Sequence, residues 1–214
     1  MRLVSTILGS ALAATALIGA LHLPGARALL MATGGCPIPA EAALSPAEAD
    51  ARRVASVSMM VGEGTVEPVT PQGLTLGQTD AAALVSWAAA RGGTCGDAVD
   101  GRGLSCEGVA VDGLESTVNA DLDASRRVVS LSILGRPADP DAATAAFSGL
   151  RSALSPLGDP SRDVGEDASG WLAGGVARQR RVEWRRANLF TRLSVTHMGG
   201  GRYVLSQVYQ SVGG

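Results

Sequence analysis

The chain has 214 residues and a mass of 21.6 kDa; 46% of its residues are hydrophobic and 18% are charged. It contains no lysine, so all 18 basic residues are arginines, and its formal net charge is −2. This composition excludes a chain that is disordered throughout and a generally basic nucleic-acid-binding protein, and the length suits one domain. The alanine-rich, lysine-free composition is typical of a high-GC bacterial genome.

The N-terminal segment has the three parts of a secretory signal. Arg2 precedes an apolar stretch, residues 3–21, that carries no charge. Ala26 and Ala28 then supply the small residues that signal peptidase requires. We therefore predict a signal peptide over residues 1–28 and an exported, periplasmic or extracellular protein. An apolar stretch of this length can also span a bilayer, so an uncleaved signal anchor stays open as an alternative.

Three cysteines follow the predicted signal. Cys95 and Cys106 are eleven residues apart with glycines between them, and exported proteins fold in an oxidising compartment, so we predict a disulfide between these two. Cys36 is then the odd cysteine, which leaves it free, lipidated or paired with another chain. The residues before it, 32–35, are Ala-Thr-Gly-Gly and resemble a bacterial lipoprotein box. This resemblance makes Cys36 a candidate lipidation site that would tether the protein to a membrane.

After the signal, the sequence predicts a flexible leader over residues 29–44 and a single α+β domain over residues 45–214. Ser45, Pro46 and Glu48 have the spacing of an N-cap, a first-turn proline and a capping box, which together start a helix. Further helix and strand signals follow up to the C-terminus. We find no linker that divides the domain and no internal sequence repeat of fixed period.

Two more helices are predicted from their start signals. Thr79 is the expected N-cap of the second helix, and Asp139 followed by Pro140 starts the third. Elsewhere the apolar period changes to two, which predicts strands. These strands lie near Val109, in a hairpin that turns at residues 123–126, and in a terminal hairpin that turns at residues 199–201.

The predicted element order is α-α-β-β-β-α-β-β. We expect an α+β fold in which an antiparallel sheet of about four to five strands has two to three helices packed on one face. The sequence does not decide whether the terminal hairpin, residues 189–212, joins the same sheet as the first hairpin.

Motifs for catalysis and for metal binding are scarce. His197 is the one histidine after the predicted signal, which disfavours multi-histidine metal sites and a Ser-His-Asp triad. Neither a Walker motif nor a nucleophile elbow occurs in the sequence. Asp159, Asp163, Glu166 and Asp167 cluster in one loop, which we expect to be solvated rather than to hold a cation. We predict no catalytic residue, no cofactor and no metal.

Charge is unevenly distributed along the chain. Residues 178–214 contain seven arginines and one acid, whereas residues 29–177 contain nine arginines and 19 acids. Guanidinium groups match phosphate and carboxylate, and tryptophan suits an interface, so this basic segment predicts a patch for an anionic partner. A solvated face paired to the protein's own acids is the alternative. The members of the predicted patch are Arg178, Arg180, Arg181, Trp184, Arg185, Arg186 and Arg192.

These observations favour a non-catalytic protein of the bacterial envelope, periplasmic or membrane-tethered, that binds an envelope protein, an anionic lipid or a glycolipid. The acidic body of the chain disfavours nucleic acid as a partner. Membrane attachment is expected only through the signal anchor or a lipid on Cys36. One alternative is a periplasmic enzyme or enzyme accessory that uses carboxylate acid/base chemistry. Another is a self-associating structural or secretion-related protein, because the terminal hairpin is expected to leave an edge strand open to pairing.

Overall fold

Ser45 caps the first helix of the part of the chain that the structure describes. A computed structural model describes residues 45–98, 102–165 and 178–212; the predicted signal peptide, the leader and Cys36 lie outside these ranges. The N–H of Glu48 donates to the Ser45 hydroxyl, and the N–H of Ser45 donates to the Glu48 carboxylate at 2.9 Å. The predicted capping box is therefore confirmed.

The described ranges form three α-helices and one eight-stranded antiparallel sheet. The helices are α1 (Pro46–Ser58), α2 (Ala81–Ala89) and α3 (Pro140–Ala153). The strands are β1 (Thr94–Asp97), β2 (Gly103–Val111), β3 (Leu114–Leu122), β4 (Val128–Gly135), β5 (Arg162–Val164), β6 (Arg178–Arg186), β7 (Leu189–His197) and β8 (Tyr203–Ser211). The predicted α+β class and antiparallel sheet are confirmed, whereas the predicted size of four to five strands is wrong.

The N-cap of α2 differs from the predicted one. Asp80 caps this helix, because its carboxylate accepts a hydrogen bond from the N–H of Ala83 at 2.8 Å. The Thr79 hydroxyl instead accepts from the N–H of Thr75 and closes the preceding turn. For α3 the predicted start is confirmed, with Asp139 as N-cap and a proline in the first turn.

The element order departs from the predicted one because β1, β5 and β6 are additional strands. Five of the nine residues of β6 are arginines, so charge conceals the period of two that its buried residues follow. β1 and β5 have four and three residues, and most of their side chains are exposed. Strands this short carry no apolar alternation that a sequence pattern could detect.

The strands are ordered β1-β2-β3-β4-β8-β7-β6-β5 across the sheet. The terminal hairpin therefore belongs to the same sheet as the first, and β8 pairs with β4 through Tyr209 opposite Leu131. Both β7 and β8 have a strand on each side. The prediction that the terminal hairpin leaves an open edge is consequently wrong, and the argument for self-association through it no longer holds.

The two halves of the sheet repeat one another. β2, β3 and β4 begin at residues 103, 114 and 128, and β6, β7 and β8 begin at residues 178, 189 and 203, a displacement of 75 residues each time. A helix and a short edge strand precede each set, and β4 and β8 meet at the centre of the sheet. The fold thus contains a structural repeat that the sequence does not reveal, since the side chains at equivalent positions differ.

The helices cover opposite faces of the sheet. Leu84 of α2 and Phe147 of α3 belong to one apolar core with the inward residues of most strands. Val57 of α1 packs instead against Phe190 and Val208, which point to the other face. The predicted packing of two to three helices on one face is met by α2 and α3, whereas α1 lies on the opposite face.

A disulfide fastens the β1 edge of the sheet. Cys95 and Cys106 lie directly opposite each other on β1 and β2, their Cα atoms are 3.9 Å apart, and the bond between them confirms the predicted pairing. Cys106 of β2 is fully buried, whereas most side chains of β1 are exposed. The disulfide therefore links an exposed edge strand to the core. Among the described residues, no helix is both long and apolar enough to cross a membrane.

Candidate functional site

The residues of the predicted anionic-partner patch do not share one face of the sheet. β6 alternates, so Arg180, Trp184 and Arg186 lie opposite core residues of β7, whereas Arg181 and Arg185 lie on the face that α1 covers. Arg192 of β7 belongs to the α1 face, and Arg178 is exposed where β6 begins. The predicted patch is thus divided by the pleat of a strand that the sequence did not reveal.

Two members of the predicted patch hold the chain segment after α3 against the sheet. The side chain of Trp184 is buried, and its Nε1–H donates to the carbonyl oxygen of Gly158 at 3.0 Å. Arg186 donates from Nε to the carbonyl oxygen of Leu157 at 2.9 Å and from Nη2 to that of Asp159 at 2.8 Å. Both side chains are committed to internal contacts.

Arg180 neutralises part of the acidic loop. It is 8% exposed, forms an ion pair with Asp163 and donates to the carbonyl oxygen of Gly165. Asp163 also accepts from Nη2 of Arg151 at 2.8 Å. Of the other loop acids, residues 166 and 167 lie outside the described residues. Within the described ranges no group of three or more His, Cys, Asp or Glu side chains is placed to hold a metal ion.

The α1 face of the sheet presents four arginines around one glutamate. Glu183 lies at the centre, with Arg162 of β5 and Arg192 of β7 directly opposite it on its two sides. Arg181 and Arg185 are two positions before and after it on β6 and therefore share its face. We call these four arginines and Glu183 the arginine cross.

Glu183 compensates only part of this positive charge. Its Oε2 accepts from Nη2 of Arg185 at 2.8 Å, and its Oε1 lies 3.4 Å from Nε of Arg181. Across the described part of the chain, neither Arg162 nor Arg192 forms an ion pair. Four positive groups and one negative group give the arginine cross itself a formal charge of +3.

The arginine cross is reachable from solvent although Glu183 is not. The Arg185 and Arg181 side chains are 37% and 27% exposed, while that of Glu183 is 5% exposed. Val164, at 39%, is the one exposed large hydrophobic residue that the sheet register places on this face. A group of guanidinium groups around a buried carboxylate favours phosphate or carboxylate groups as ligands.

The one histidine after the predicted signal has a packing role. His197 is 4% exposed, lies at the end of β7 and stacks on the ring of Tyr203 with ring centroids 4.8 Å apart. Cys95 is bonded to Cys106 and therefore offers no free thiol as a nucleophile. Neither side chain is available for the catalysis that its residue type could support.

Sequence reasoning missed a chain of polar side chains that begins at the buried Tyr209 and Gln207 of β8 and ends at the exposed Asp112 and the half-buried Gln72. The Tyr209 hydroxyl donates to Oε1 of Gln207 at 2.9 Å, and Nε2 of Gln207 donates to Oδ2 of Asp112 at 3.4 Å. Gln72 completes the chain by donating to both oxygens of Asp112. Burial, with the Asp112 charge as a smaller cause, raises the pKa of Tyr209 far above its usual range. The phenol therefore stays protonated at neutral pH, and the chain acts as a structural network.

No protein-family model, no curated protein and no solved structure matches this chain. Its function is inferred from the arginine cross, the charges around it and the disulfide that accompanies it.

Proposed function

We propose that this protein is an exported, non-catalytic protein of the bacterial envelope that docks on anionic phospholipid through the arginine cross. The observation that carries the proposal is the arrangement of four arginines around Glu183 on one face, with a formal charge of +3. Two of these arginines, Arg162 and Arg192, form no ion pair within the described ranges. Their guanidinium groups are free to bind phosphate.

The low apolar content of the arginine cross favours a lipid head-group surface over a protein partner. The centre of a protein–protein interface is depleted of charge and enriched in aromatic and apolar side chains, whereas Val164 is the one exposed large hydrophobic residue that the sheet register places beside the arginine cross. Arginines close to an anionic membrane surface contribute about 1 kcal/mol each, and salt screens this attraction. An acidic envelope protein or a glycolipid stays the competing partner.

The exported location is proposed from two observations of different kinds. Residues 1–28 have the pattern of a secretory signal, and the Cys95–Cys106 disulfide suits an oxidising compartment. A retained signal anchor or a lipid on Cys36 would hold the arginine cross close to a membrane. The intact mass of the protein from its native envelope distinguishes a chain starting at residue 29 from an acylated chain starting at Cys36 and from an uncleaved chain.

Carboxylate acid/base catalysis has less support. Such chemistry needs a carboxyl group that is held at a substrate site with its pKa near the working pH. The most buried carboxylate, Glu183, is engaged by Arg185, and Asp163 is shared by Arg151 and Arg180. These acids are positioned to hold arginines in place.

Co-sedimentation with lipid vesicles tests the docking proposal. The protein should bind vesicles of phosphatidylglycerol and phosphatidylcholine, not vesicles of phosphatidylcholine alone, and added salt should release it. Replacing both unpaired arginines, Arg162→Gln with Arg192→Gln, should weaken binding on the order of 30-fold, because two charges of about 1 kcal/mol each are lost. The control is Arg136→Gln with Arg202→Gln, which removes the same charge from exposed positions beside β4 and β8.

Two results would overturn the proposal. One is binding to phosphatidylglycerol-containing vesicles that is no tighter than binding to phosphatidylcholine vesicles, which would mean that the arginine cross does not recognise anionic head groups. The other is an equal loss of binding in the test and control variants, which would mean that net charge alone, and not the arginine cross, attracts the protein. Circular dichroism of each variant checks that the fold is retained.

A further inference from the structure

A second feature lies on the α1 face, where α1 passes the end of the sheet at which β2 begins and β3 ends. It is a cavity of about 370 Å³, within the size range of small-molecule sites. Four arginines and three aspartates supply most of its lining. None of these residues belongs to the arginine cross, so the cavity is separate from the face proposed to dock on lipid.

One arginine and one aspartate of the cavity are committed to holding α1 in place. Nη1 of Arg53 donates to the carbonyl oxygen of Ser211 at 2.8 Å, at the end of β8. Nη2 of the same guanidinium forms an ion pair with Oδ1 of Asp50 at 2.9 Å. These contacts fix the helical wall of the cavity without a ligand.

A second aspartate is committed to the turn between β3 and β4. Oδ1 of Asp123 accepts hydrogen bonds from the N–H groups of Ser125 and Arg127, both at 2.8 Å. The residue between them, Arg126, has a φ of 62°, in the left-handed region, and its side chain lines the cavity. The turn therefore presents Arg126 on a fixed backbone.

Asp121 and Arg126 are the oppositely charged pair that the cavity leaves uncommitted. Both line the cavity and are exposed, and within the described residues neither side chain takes part in a hydrogen bond or ion pair. A carboxylate accepts hydrogen bonds from hydroxyl groups, and a guanidinium binds an acidic group through paired N–H donors. Arg52 and Arg102 add positive charge to the same lining.

We infer that this cavity binds a small hydroxylated molecule that carries one phosphate or carboxylate group, the chemistry of a sugar phosphate or a sugar acid. Arg126 binds the acidic group. Asp121 accepts hydrogen bonds from the hydroxyl groups. The acidic and basic side chains of the cavity thus recognise different ends of one molecule.

Isothermal titration calorimetry with four probes tests this inference. Glucose 6-phosphate should bind at least tenfold more tightly than either glucose or inorganic phosphate, because only it engages both ends of the site. A comparison of the affinities for glucuronate and glucose 6-phosphate shows whether the site prefers a carboxylate or a phosphate group. Arg126→Gln should lower the affinity for glucose 6-phosphate about tenfold, the size of one hydrogen-bonded charge, and Asp121→Asn should remove the preference over inorganic phosphate.

The matched control is Arg136→Gln, which makes the same charge change at an exposed position outside the cavity and should leave the affinity unchanged. The inference would be overturned if inorganic phosphate bound as tightly as glucose 6-phosphate and glucuronate. It would also be overturned if Arg136→Gln lowered the affinity for glucose 6-phosphate as much as Arg126→Gln does. Binding to lipid vesicles should be unchanged in Asp121→Asn, so the failure of this inference is distinguishable from failure of lipid docking.

Discussion

Glu183 and Arg192 face each other on β6 and β7, on the side of the sheet that α1 covers. The carboxylate nevertheless pairs with Arg185 of its own strand, so Arg192 contributes its charge to the surface. The Glu183 side chain is 5% exposed. It therefore has two opposed effects, since it stabilises a crowded group of arginines and reduces the positive charge available to a ligand.

Replacing Glu183 with Gln should separate these effects. The free energy of unfolding should fall by about 1–3 kcal/mol, because buried charge-assisted hydrogen bonds are weakened. The affinity for phosphatidylglycerol vesicles should rise, because Arg181 and Arg185 lose their internal counter-charge. Urea denaturation and vesicle co-sedimentation measure the two quantities. Glu67→Gln, at an exposed position, is the charge-matched control; a gain in affinity equal to that of Glu183→Gln would contradict the role of the arginine cross.

The Cys95–Cys106 bond should stabilise the β1 edge of the sheet. Its closed loop is short, with a sequence separation of 11 residues, so its loss should lower the free energy of unfolding by roughly 3 kcal/mol. Denaturation with and without reductant measures this difference. The double variant Cys95→Ser with Cys106→Ser should be insensitive to reductant, and a wild-type protein that is equally insensitive would show that the bond adds no stability.

Trp184→Phe should affect stability and leave lipid binding intact. The change removes the hydrogen bond from Nε1 to the carbonyl oxygen of Gly158 and shrinks a side chain that is buried in the core, so it should cost about 1–3 kcal/mol. Thermal denaturation measures the stability, and vesicle co-sedimentation below the melting temperature measures binding. Loss of vesicle binding in a folded Trp184→Phe protein would instead place this tryptophan in the interface.

Tyr209 should make the protein sensitive to alkaline pH. Its pKa is raised in the folded state, so the folded protein holds the phenolic proton more tightly than the unfolded chain does. The resulting stability is complete below the ordinary tyrosine pKa and is lost as the pH rises above it. The Tyr209→Phe protein should be less stable than the wild type at neutral pH. Its free energy of unfolding should decline less steeply than that of the wild type above pH ~10. Urea denaturation as a function of pH tests this, and parallel curves for the two proteins would contradict it.

Several features could be predicted from the sequence because their causes are local. Caps and first-turn prolines act within one helical turn, so Ser45 and Asp139 identified their helices correctly. Glycines that adopt a positive φ form the turn of the terminal hairpin at residues 199–201, as predicted. The Cys95–Cys106 bond followed from the expected compartment and from a separation that permits a closed loop.

The sequence alone thus determined the class of fold, three helices, two hairpins, one disulfide and the basic character of the C-terminal segment. Tertiary structure alone decided which of those arginines reach a surface. Pairing with β7 directs Trp184 of β6 into the core, and the period of two then takes Arg180 and Arg186 to the same side and Arg181 and Arg185 to the other. The cavity beneath α1 has the same origin, because its two walls are far apart in the chain. Burial depends on pairings between distant segments, and no local pattern of residues encodes those pairings.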